Sequence, residues 1–232
     1  MSGDYKRDDD PTCEPFEVVP CDTFVTEATF GLPLYRWPSV AQVADEIEIW
    51  WRQNAREGRN SVLYCYSLGK AQRLLAELAP RLRDGETVLV HDTVEALNRW
   101  YREKGVVLAA TQVVSSQQKG SVIRGALILA PPGIQGTPLM GRLGEFETAF
   151  ASGWMRIRRS RFSRRYDRSF VLSDHADWPS LVRTVRETGA RNVYVMHGSD
   201  ETFARYLREE LKLNAKPIEE LPRAGTSPGI SL

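Results

Sequence analysis

The sequence predicts an α/β fold built on a largely parallel sheet. Short apolar runs that stop at turn residues alternate along the chain with longer segments of helical spacing. The runs are too short for helices and too continuous for strands facing water on one side. Two histidines, His175 and His197, each follow an apolar run and precede a helical segment. A histidine just past a strand end, where a helix begins, is well placed to face a cleft at the carboxyl edge of a parallel sheet.

In chain order, Asp22 to Gly31 reads as a buried strand stopping at Gly31. Val40 to Arg56 follows as a helix, with Val43, Ile47, Trp50 and Trp51 on one face. Ser61 to Tyr66 is a strand running through Ser67-Leu68-Gly69-Lys70 into an amphipathic helix over Ala71 to Leu82. Thr87 to Val90 is a strand, with a helix around Val94 to Lys104 after it. Ala126 to Ala130 is a strand ended by Pro131-Pro132-Gly133. Phe170-Val171-Leu172 and Val193-Tyr194-Val195 lead into the two histidine units. The Gly-, Ser- and Pro-containing tail from Arg223 to Leu232 reads as disordered.

The 232 residues allow one substantial core, or one large and one small. No apolar run approaches the roughly 20 residues that span a bilayer, so no membrane segment is expected. The polar, charged start from Met1 to Asp10 lacks the apolar stretch of a signal peptide. The three cysteines, Cys13, Cys21 and Cys65, are odd in number and lack metal-type spacing, which suits reduced thiols in a cytoplasm.

A net charge of +1 argues against a uniformly basic protein, so nucleic-acid contact would have to come from local clustering. Such a cluster runs from Met155 to Arg168, with seven arginines (Arg156, Arg158, Arg159 and Arg161 among them) and one acid. Arginine's planar fork suits phosphate, and the interleaved Phe162 and Tyr166 suit base stacking. A solvated face is the ordinary fate of such a run, and the alternative stays open. The Ser67-Leu68-Gly69-Lys70 turn also has two readings. A helix N-terminus attracts anions, with Gly69 permitting close approach and Lys70 adding charge. The same residues also make a plain strand-to-helix turn with Ser67 as N-cap.

Six motifs in order then carry a resemblance: Gly3-Asp4-Tyr5, Thr26-Glu27-Ala28-Thr29-Phe30-Gly31, Tyr66 to Gln72, Ala130-Pro131-Pro132-Gly133, Ser173-Asp174-His175-Ala176-Asp177 and His197-Gly198. Together they resemble the metallo-β-lactamase-fold nucleases that carry a β-CASP insertion. Within these, the chain is most similar to the bacterial ligase-associated DNA exonuclease group, often labelled mRNA 3′-end processing factor-like. The resemblance implies that residues 1–32 and 169–232 form the C-terminal part of a metallo-β-lactamase αββα domain. It implies that residues 33–168 form the insertion, with a mainly parallel sheet.

By the same resemblance, Asp4 would bridge two metal ions, normally zinc, and His197 would bind one of them. His175 would lie beside the scissile phosphate, held by Glu27. Ser67, Gly69 and Lys70 would face nucleic acid, DNA by resemblance with RNA also open. A DNA ligase or helicase of the same repair system would be a partner. The chemistry is coherent, because two metals about 4 Å apart can activate water and stabilise the charge developing on a phosphodiester.

The family's His-x-His-x-Asp-His motif is not present in the sequence. The remaining histidine, His91, matches no family ligand and reads as a helix-start or surface residue. With Asp4 and His197 as the recognisable ligands, the chain alone is expected to bind metal weakly and to cleave nothing, or very slowly. The alternative is a nucleic-acid-binding remnant or a subunit of a split nuclease, in which a separate N-terminal half polypeptide would supply the other metal ligands. A Rossmann-like small-molecule enzyme ranks below both for want of a Gly-x-Gly-x-x-Gly fingerprint.

Overall fold

A computed structural model describes residues 1–117, 122–157 and 165–221. Arg158, Arg159, Arg161 and the tail from Arg223 lie outside the described residues. The chain is an α/β protein with two all-parallel sheets. It divides into two compact units, the smaller from Met1–Arg7, Phe16–Arg36 and His175–Leu232, the larger from Asp8–Pro15 and Trp37–Asp174. Among the described residues, no helix is long and apolar enough to cross a membrane.

Nine strands and five α-helices are described. They run β1 (Thr23–Ala28), α1 (Val40–Arg56), β2 (Asn60–Tyr64), α2 (Lys70–Leu78), β3 (Val88–Val90), α3 (Asp92–Glu103) and β4 (Thr111–Val113). Then come β5 (Leu127–Ala130), β6 (Phe146–Ala151), β7 (Arg168–Phe170), α4 (Trp178–Thr188), β8 (Asn192–Gly198), α5 (Asp200–Glu209) and β9 (Asn214–Pro217).

In the larger unit the strand order is β4-β3-β5-β2-β6-β7. β2 is buried along its whole length, as a central parallel strand must be. Helices α1, α2 and α3 cover one face through Val43, Ile47, Trp50, Leu74, Leu75, Leu78 and Val94, which pack on Leu63, Val90 and Leu129. On the other face Tyr64, Ile128 and Phe150 pack beneath Ile134, Leu143 and Met155, from short 3₁₀ turns and loops. Ser39 caps α1 by accepting the Gln42 N–H, and His91 caps α3 by accepting from Thr93.

Helix α2 differs from expectation at both ends. It starts at Lys70 with Gly69, not Ser67, at the N-cap, and no side chain caps it. It gives way after Leu78 to a 3₁₀ turn over Ala79–Arg81, because Pro80 has no N–H for an α-helical bond. The expected strand at 170–172 sits two residues earlier, at Arg168–Phe170; Leu172 is apolar because it is buried in the core, not because it belongs to a ladder.

In the smaller unit the order is β1-β8-β9. Phe24, Ala28, Val193, Val195 and Ala215 pack against Leu181, Val185, Phe203 and Leu207 of α4 and α5. Asp177 caps α4 by accepting the Ser180 N–H, and Gly189 ends it in the left-handed conformation.

Candidate active site

The carboxyl ends of β1 and β8 meet in the smaller unit. Glu27 pairs in register with Met196, but the next pair is Ala28 with Gly198, so His197 is a bulged residue with no partner of its own. Its φ of 61° lies in the left-handed region, uncommon for a residue with a side chain. A bulge with a strained residue redirects one side chain at a strand end, a device that gathers at functional sites. Gly198 makes the bulge possible. Its φ is 112°, and a Cβ there would lie 2.6 Å from the Ala28 carbonyl oxygen and 2.7 Å from the Thr29 Cα.

Glu27 is fully buried at the end of β1. One carboxylate oxygen accepts the Tyr5 N–H at 3.1 Å, and the other accepts the Thr29 N–H at 3.2 Å. His175 Nδ1 lies 3.1 Å and 3.3 Å from the two oxygens. Burial pushes the Glu27 carboxyl up. Hydrogen bonds from His175 and Thr29, the charge of His175 and the Tyr5 N–H outweigh that and hold it below its ordinary value. An ionised acceptor here makes Nδ1 the donor, so a proton that His175 exchanges with a substrate is the one on Nε2. The Phe30 ring meets the imidazole edge-on at 5.7 Å.

Asp4 completes the group. Its Oδ1 lies 3.9 Å from His175 Nδ1 and 3.8 Å from His197 Nδ1. The Asp4 and His197 side chains are well exposed, at 57% and 62%. The donor atoms of Asp4, Glu27 and His175 lie within 4.8 Å of one another. Glu27 is nonetheless poorly suited to ligate, because three N–H groups occupy its oxygens. Asp4 and His197 fit a metal better. Zinc binds carboxylate and imidazole at about 2.0–2.2 Å, so donors 3.8 Å apart can share one ion. They are two of the three or four donors such a site takes.

The turn singled out by the sequence lies in the larger unit. Lys70 is buried rather than presented to solvent, with Nζ 3.2 Å from Asp174 Oδ2 and 4.9 Å over the Tyr66 ring. Ser67 shares a hydrogen bond of 3.0 Å with Thr93. Gly69, at φ 77°, has open space where a Cβ would stand. Arg156 is exposed at the end of a 3₁₀ turn. Sequence reasoning missed Tyr5 and Thr29 as holders of Glu27, because backbone donors leave no residue-type signal. It also missed the bulge, for which His197-Gly198 was the available cue.

No family model matches the chain. A curated relative from Opitutus terrae, described as a probable DNA ligase, is 29% identical over 208 residues, covering 90% of this chain and 20% of that protein. The chain therefore spans about a fifth of that relative's length. A crystal structure of an Enterococcus faecalis V583 protein of unknown function superposes with a TM-score of 0.46 at 12% identity, covering 78% of this chain and 47% of that one.

Proposed function

We propose that the chain carries part of a metal-dependent centre for phosphodiester hydrolysis, acting on DNA. The observation behind this reading is the convergence of Asp4, Glu27, His175 and His197 at one sheet edge, with Glu27 buried beneath His175 and its carboxyl held below its ordinary value. DNA is favoured over RNA by the similarity to a probable DNA ligase. That similarity also makes a ligase the natural partner, since a nuclease prepares the ends that ligation joins.

Asp4 and His197 would hold the metal, zinc by the family resemblance, since one carboxylate and one imidazole do not by themselves select an ion. Once bound, such an ion lowers the pKa of a water and neutralises charge building on a phosphoryl oxygen. The chain's own residues do the rest. Glu27 fixes the His175 ring by accepting from Nδ1, and Tyr5 and Thr29 fix Glu27. His175 then presents Nε2 to the phosphodiester, to stabilise its charge or protonate the leaving oxygen.

Zinc and manganese titration by calorimetry, beside cleavage of end-labelled DNA, tests the reading. Weak metal binding that disappears in both Asp4→Asn and His197→Ala is expected. Any cleavage is expected to be slow and to vanish in Asp4→Asn and His175→Ala. Metal binding unchanged in Asp4→Asn and His197→Ala, or cleavage surviving Asp4→Asn and His175→Ala, would overturn it. The two-donor count favours a second reading, a DNA-binding subunit of a split nuclease, in which catalysis appears only when another polypeptide supplies the remaining ligands.

A further inference from the structure

In the larger unit, β2 and β6 are parallel neighbours whose last pair is Tyr64 with Phe150. Two residues past Tyr64 stands Tyr66, and four past Phe150 stands Trp154. Side-chain alternation continues beyond β2, since Cys65 packs with the helical side and Tyr64 with the opposite one. Tyr66 therefore belongs to the side lined by Tyr64, Phe150 and Met155, and Trp154 directly precedes Met155. Tyr166 joins them: its ring stacks on Phe150 at 5.1 Å. Burial pushes its hydroxyl up, Arg165 pulls it down, and Tyr66 is near enough to raise it further.

Tyr66 and Trp154 both reach solvent at this sheet edge. Tyr66 is 55% exposed and Trp154 43%. Lys70, fixed by Asp174, sits 4.9 Å from the Tyr66 ring centre, and the Trp154 backbone N–H donates to the buried Ser152 hydroxyl at 3.4 Å, which fixes the start of the 3₁₀ turn that carries Trp154. Arg156, two residues past Trp154, and Arg165, next to Tyr166 in the chain, are exposed. Exposed aromatic rings at one sheet edge, with exposed arginines close to them in the chain, suit the two parts of a single nucleic-acid strand, its bases and its phosphates.

We propose that Tyr66 and Trp154 form a platform on which unpaired nucleobases stack, with Arg156 and Arg165 meeting the adjoining phosphates. The platform rests on the DNA-acting reading but needs no catalysis. It sits at the carboxyl edge of the larger sheet, where open α/β sheets receive ligands. Because a stacked ring must reach a base face, it selects unpaired strands over duplex.

The test is the affinity of the chain for a short fluorescein-labelled single strand, the matching duplex and an abasic strand of equal length. Tyr66→Ala and Trp154→Ala should each weaken single-strand binding about five- to a hundredfold. Tyr66→Phe and Trp154→Phe should stay near wild type. The Ala variants should melt with the wild type and keep its affinity for the abasic strand and its salt dependence, whereas Arg165→Ala should lower the salt slope by about one. Ala variants that bind the normal strand like the wild type would overturn the platform alone, as would equal losses on normal and abasic strands. So would a change in oligomeric state without a change in strand affinity, which would make the rings a protein contact. A wild type that binds no DNA would overturn the underlying functional reading as well.

Discussion

Glu27 shows how much one buried carboxylate can organise. It collects the Tyr5 and Thr29 N–H groups and the His175 ring, and Glu27→Ala would remove the acceptor of both backbone N–H groups. Stranding buried donors costs about 1–3 kcal/mol each, so Glu27→Ala should lower stability by about 2 kcal/mol or more in urea unfolding. The charge itself is visible through pH. The folded-state pKa lies below the ordinary 4.5. Its stabilisation is therefore complete above that value and is lost as pH falls through the folded pKa. Wild type should lose stability below about pH 4.5 more steeply than Glu27→Gln, and parallel curves would show that Glu27 is not ionised in the fold. Gly198→Ala is a second residue-scale case. Its Cβ would collide with the Ala28–Thr29 backbone at a φ that favours glycine. A loss of at least about 2 kcal/mol and a displaced His197 are expected, read by thermal melting and by loss of metal binding.

At the scale of elements, the N-cap of α4 has a defined energetic role. Asp177→Ala removes the acceptor for the Ser180 N–H and should cost about 1 kcal/mol; an unchanged melting temperature would assign the cap no role. The elements legible in the sequence were those whose pattern matched their environment. α1 is capped by Ser39 and carries Val43, Ile47 and Trp50 inward, and β5 and the Val62–Tyr64 part of β2 are apolar runs in the sheet centre. β4 and β9 were not legible, being short edge strands with polar residues and, in β9, Pro217. β6 escaped notice because Glu147 and Thr148 interrupt its apolar run. Thr148 is satisfied from outside the sheet by Asp167, which accepts from both its N–H and its hydroxyl. In the site, Asp4, Glu27, His175 and His197 were legible through short motifs. Lys70 misled, because nothing local announces that Asp174, more than a hundred residues on, takes its charge.

Across the whole molecule, two parallel sheets each end in chemistry at the carboxyl edge: charged groups in the smaller unit, exposed rings in the larger. In the smaller unit the proposal makes Asp4 and His197 metal donors, while His175 is held by Glu27 and His91 is occupied as the α3 cap. The chain has three histidines, so their ring signals in an NMR titration with zinc read this out directly. The His197 signal should shift first, His91 should stay unmoved, and Asp4→Asn should abolish the His197 response. Equal shifts at all three histidines, or a His197 response indifferent to Asp4, would contradict the account.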